Sequence, residues 1–142
     1  MIRVVLAVAL AAAILGLAMP SAERADRERS AALALEELER LRDAAERLAA
    51  DNDPVAPGRD PAATTVTLDP PEPTFADPGR LRIADDSLRW ESATGRGVAV
   101  DVAVPIRIDA PTVIDERTRV GLRLVRIDGD AVVRLRTGRT RI

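Results

Sequence analysis

The chain of 142 residues contains no cysteine, histidine or tyrosine, and reading along it finds no lysine or glutamine. These absences remove thiolate, imidazole and lysine catalysis, the usual ligands of zinc, haem and iron-sulfur centres, and any disulfide. Aromatics are nearly absent as well: Phe75 and Trp90 are the only two, too few for the stacking platforms that single-stranded nucleic acid requires. All 21 basic residues are arginine, against 23 acids, so the net charge is -2 and gives no general drive toward nucleic acid. The balance is uneven along the chain. Residues 1–79 carry 8 arginines and 14 acids, whereas residues 80–142 carry 13 arginines and 9 acids.

What is present begins with a membrane-directed segment. After Met1-Ile2-Arg3 come sixteen apolar or glycine positions, 4–19, followed by Pro20-Ser21-Ala22. Sixteen helical residues rise about 24 Å, close to the roughly 30 Å hydrocarbon core once Ile2 and the residues up to Ala22 are added. A basic start and an apolar centre fit an export signal, but cleavage after Ala22 puts Pro20 at the -3 position and cleavage after Ala25 puts Glu23 there. Two readings follow: an uncleaved single-pass anchor with the C-terminal domain outside the cell membrane, or a removed signal and a secreted domain.

Residues 22–50 change to the pattern of a long amphipathic helix. Ala31, Ala34, Leu38, Leu41, Ala45 and Leu48 recur at spacings of three and four, forming a heptad seam. The pairs Glu23 with Arg27, Glu36 with Arg40 and Asp43 with Arg47 stand at i, i+4. The seam has two candidate uses, packing on the chain's own sheet or association with another helix. Asp51-Asn52-Asp53-Pro54 ends the helix, because the residue before proline avoids the helical region. Residues 51–79 hold seven of the ten prolines and read as an extended connector with one strand at 64–68.

From residue 80 to 142 apolar and polar positions alternate with period two, which predicts an antiparallel β meander with one buried face. Asp128-Gly129 predicts a tight hairpin turn, and the parity change after Leu124, where Val125 and Ile127 become the apolar positions, predicts a bulge. The fold class expected is α+β: apolar segment, amphipathic helix, connector, antiparallel domain.

Arg82, Arg89, Arg107, Arg123, Arg134 and Arg136 fall on the polar side of the strands and form the candidate partner surface. The acidic pairs Asp85-Asp86, Asp115-Glu116 and Asp128 with Asp130 coincide with turn positions, so no catalytic, cofactor or metal residue is expected and the chain reads as non-enzymatic. The acidic helix residues Glu36, Glu37, Glu39, Asp43 and Glu46 complement the arginines in charge, which suggests self-association or a protein partner in addition to the membrane.

The order of apolar run, proline near position 20, continuing helix and C-terminal antiparallel sheet resembles the architecture of type IV pilins and pseudopilins. Separately, the string Met1-Ile2-Arg3-Val4-Val5-Leu6, the helix with Asp43-Ala44-Ala45-Glu46-Arg47-Leu48, the strand with Leu88-Arg89-Trp90 and the strand Val132-Val133-Arg134-Leu135 are similar to a small uncharacterised haloarchaeal family. These resemblances imply an envelope protein linked to pilus-like or secretion machinery.

Overall fold

The computed structural model describes residues 2–56, 58–72, 74 and 76–138. Pro57 and Pro73 of the connector and the aromatic Phe75 lie outside them. One helix, α1 (Ile2–Asp51), runs without interruption through the boundary expected between residues 21 and 22. Its Ala, Leu, Glu and Arg content is that of strong helix formers. Pro20 is inside it; lacking an N–H, it deprives the Gly16 carbonyl of its ordinary partner. At the far end the Asn52 side chain donates to the Leu48 carbonyl (3.0 Å), satisfying one of the last orphan acceptors before Pro54.

Eight strands follow: β1 (Ala63–Leu68), β2 (Arg80–Ala84), β3 (Ser87–Glu91), β4 (Gly97–Val100), β5 (Ile106–Ile108), β6 (Thr112–Ile114), β7 (Thr118–Ile127) and β8 (Asp130–Gly138). The fold is α+β, but the expected single meander is two four-stranded sheets, ordered β1-β7-β8-β5 and β4-β3-β2-β6. Most pairings are antiparallel; β5 and β8 are parallel. The long valine run explains part of the difference. Its strand stops at Val100, and Val102 and Val104 pack half-buried against the core as the chain crosses from the second sheet to the first. Asp85 and Asp86, the turn between β2 and β3, then latch β5 in place. Their carboxylates accept the N–H groups of Ile108 and Ile106 (2.9 Å each), and the Ile106 carbonyl accepts Asp86 N–H (3.1 Å).

The expected bulge after Leu124 is absent, since β7 and β8 pair in unbroken register from Arg119↔Gly138 to Ile127↔Asp130. Asp128 and Gly129 close that hairpin with φ of 52° and 97°, the two positive values that a type I′ turn needs. The parity change marks instead a second apolar patch on the outer face. There Val125 opposes Val132 and is bridged in parallel by Val55, whose carbonyl accepts Arg126 N–H (2.9 Å).

The core lies between α1 and the inner faces of both sheets. Ala34, Leu38, Leu41, Ala45 and Leu48 are buried there with Leu81, Ile83, Leu88, Val120, Leu122, Leu124, Val133 and Leu135, and Ala31 packs at the margin. The seam is therefore occupied by the chain's own sheets and is not a free surface for another helix. This corrects its candidacy as an association seam, because Ala34, Leu38, Leu41, Ala45 and Leu48 are already dry within the core cluster and have no area left to offer. At the edge of the core Trp90 donates its indole N–H to the Pro78 carbonyl (2.9 Å). The turn at Gly79 (φ 77°) makes that possible: a Cβ there would sit 2.5 Å from the Glu91 carbonyl oxygen and 2.7 Å from Trp90 Nε1.

Candidate functional site

The six arginines of the candidate partner surface are exposed, but they do not share one face. Arg82 and Arg89 are direct cross-strand partners on the second sheet, and both approach Glu91, at 3.4 and 4.0 Å. Arg107, Arg123, Arg134 and Arg136 belong to the first sheet. Here register brings them together: Arg123 opposes Arg134 across β7 and β8, Arg107 lies beside Arg134 across β5 and β8, and Arg136 is two residues along from Arg134 on the same face. Opposite Arg136 stands Gly121, which has no side chain to fill the space. Like charges placed directly opposite one another oppose folding, so packing alone gives no reason for this arrangement.

A seventh arginine completes the group. After Val55 bridges to β7, the segment that returns the chain to β1 lies over the outer face, and Arg59 from it lines a cleft of about 220 Å3 together with Arg123, Arg134 and Arg136. The cleft also has an apolar side, formed by Val125, Ile127 and Pro61. Asp109, beyond the end of β5, bridges Arg134 (2.7 Å) and Arg136 (3.6 Å) with one carboxylate. Among the described residues Arg59 and Arg123 form no ion pair. Reading along the sequence placed Arg59 in a proline-rich spacer. The signal that could have found it is the parity change at Val125, which demanded something to cover the outer face.

Arg107 is engaged differently. It pairs with Asp86 and donates to the Ile106 carbonyl (3.0 Å), so it belongs to the latch on β5. Its hydrogen bond holds the Asp86 carboxyl below the usual carboxylate range, against a smaller opposing effect of burial. Asp86 in turn raises the Arg107 guanidinium above its ordinary value.

The acidic side chains of α1 are less available than their stripe suggested. Glu37 is buried, accepts the Asp69 N–H (3.1 Å) and pairs with Arg40 (3.1 Å). Glu46 accepts the Ala103 N–H (2.9 Å), and Asp26 accepts the Ala76 N–H (3.0 Å) and the Thr74 hydroxyl. These three carboxylates tie the connector and the crossing loop to the helix; Glu36, Glu39 and Asp43 stay exposed. Of the i, i+4 pairs expected from the sequence, Glu23–Arg27 forms (2.8 Å), whereas Arg40 turns to Glu37, Asp43 to Arg42 (2.7 Å), and Arg47 donates to the Asp43 backbone carbonyl.

The chemistry of the cleft is that of fixed positive charge. A guanidinium neither gives up nor takes a proton at any ordinary pH, so the cleft can hold and orient an anion through paired N–H donors. Among the described residues no group of three or more acids is placed to hold a metal ion.

The DUF7311 family, a domain of unknown function, matches residues 1–138. The chain belongs to it. That span takes in α1, both sheets and the arginine cleft, so the DUF7311 unit is the helix and the β body together. No curated protein and no solved structure matches the chain.

Proposed function

We propose that this chain is a non-enzymatic, membrane-anchored envelope protein whose β body stands outside the membrane and engages a partner there, as an accessory of a pilin-like assembly or of secretion machinery. The observation that supports the reading most is the division of α1. Its N-terminal part is apolar in sequence, and its described side chains are exposed: Ile2, Val4, Val5, Leu6, Val8, Leu10, Ile14 and Met19 all face out. A helix of this length and apolarity meets the requirements of a membrane span or of a signal segment. Residues 2–19 rise about 27 Å, and beyond Pro20 the helix continues into the β body, which is packed along it from Asp26 onward.

Separation of membrane and medium fractions, with N-terminal sequencing of each product, tests the proposal. A chain beginning at Met1 and resisting alkaline extraction from membranes is the expected result. A product in the medium that begins near Ala22 overturns it in favour of a released domain.

A further inference from the structure

We propose that the cleft formed by Arg59, Arg123, Arg134 and Arg136 is a binding site for an acidic polypeptide segment, one in which carboxylates alternate with apolar side chains. Four guanidinium groups converge on one small concavity, two of them already bridged by the Asp109 carboxylate and two without an ion pair among the described residues. Asp109 shows the geometry a carboxylate takes here, accepting from Arg134 at 2.7 Å while lying 3.6 Å from Arg136. A ligand carrying further carboxylates finds Arg59 and Arg123 unsatisfied, and charge-assisted, two-pronged bonds to guanidinium are among the stronger polar contacts available.

The apolar side of the cleft selects among anions. Val125 and Ile127 give an incoming chain a hydrophobic contact, while among the described residues no aromatic ring lines the site for a sugar to stack upon. An acidic peptide satisfies both features and a uronate polymer only one. Position excludes lipid headgroups of the anchoring bilayer: the segment carrying Arg59 follows the C-terminal end of α1, about 48 Å along the helix from Pro20. That exclusion rests on the membrane-anchored reading; the cleft and its chemistry do not.

The test is fluorescence anisotropy of a labelled peptide of alternating glutamate and valine with the full chain in detergent micelles, at low and high salt. Binding that weakens with salt is expected, since Coulomb attraction between exposed charges is screened. Arg123→Ala and Arg136→Ala should each weaken it about tenfold, the loss of one charge-assisted pair. Arg89→Ala, the same charge change on the second sheet, should alter it less than about twofold. Asp109→Asn should tighten it, because the ligand no longer competes with a resident carboxylate. Trp90 fluorescence confirms that each variant is folded. Three results would overturn the proposal: no binding, equal loss from Arg89→Ala, or an oligogalacturonate that binds more tightly than the peptide. Because the measurement is made in micelles, its failure leaves the fractionation result standing, and the reverse also holds.

Discussion

The two stretches of α1 use similar side chains to opposite ends. In residues 30–51, Leu38, Leu41 and Leu48 are at most 7% exposed, while in residues 2–19, Leu6 and Leu10 are 70% and 63% exposed. The difference is arrangement. A stripe at spacings of three and four can be covered from one side by two sheets, but a helix apolar all round needs an environment that surrounds it. Among the described residues the chain supplies none for this stretch, which fits a membrane span or a signal segment.

The sharpest way to break this comparison is to place the same charge in each stretch. Leu38→Asp should unfold the β body or cost about 4 kcal/mol or more, the lost burial of a leucine plus an unpaired buried carboxylate. Leu10→Asp should leave the urea midpoint of Trp90 fluorescence unchanged and weaken membrane insertion by about 3 kcal/mol, as expected for an acid at the centre of a span. If both substitutions shifted the Trp90 midpoint alike, the two stretches would not be independent.

A smaller effect sharpens the same contrast among polar residues. Glu37 and Glu36 are adjacent, yet only Glu37 is buried and bonded to the Asp69 N–H. Glu37→Ala should cost about 1–3 kcal/mol by orphaning that donor, and Glu36→Ala less than about 0.5 kcal/mol, both read from urea melts.

Much of this division is legible in the sequence. The seam from Ala34 to Leu48, the helix stop at Asn52, the hairpin at Asp128-Gly129 and the alternation of β2, β3, β7 and β8 all follow from local patterning, because each is decided within a few residues. The two-sheet arrangement is not, since whether β5 pairs beside β8 or beside its sequence neighbours depends on the Asp85-Asp86 latch, contacts made across 20 and 23 residues. The candidate surface was legible in residue type and not in grouping. Period two places Arg82 and Arg134 alike on outer faces; the assignment of strands to sheets separates them, and the Val55 bridge brings Arg59 to Arg123.

The smallest effect concerns that latch. Asp86 is held below its ordinary value of 3.8 by Arg107, so its contribution to stability is present above that value and is lost as pH falls through the depressed one. The pair is about half exposed, which limits the contribution to under about 1 kcal/mol. Asp86→Asn, which tolerates the positive φ of 51° at this turn, should flatten that part of the acid limb of stability below pH about 4 and leave the rest unchanged.

The central proposal is that α1 is one helix whose N-terminal stretch lies in lipid while its C-terminal stretch lies in the protein core. The absence of cysteine makes every introduced thiol unique. Nitroxide labels at Val8→Cys and at Arg59→Cys in the full chain, reconstituted in bilayers, report depth by their relaxation with lipid-soluble oxygen and with a water-soluble nickel complex. The account predicts that the label at residue 8 responds to oxygen and is shielded from nickel, while the label at residue 59 responds to nickel. A label at residue 8 that responds to nickel as strongly as the one at residue 59 would contradict it.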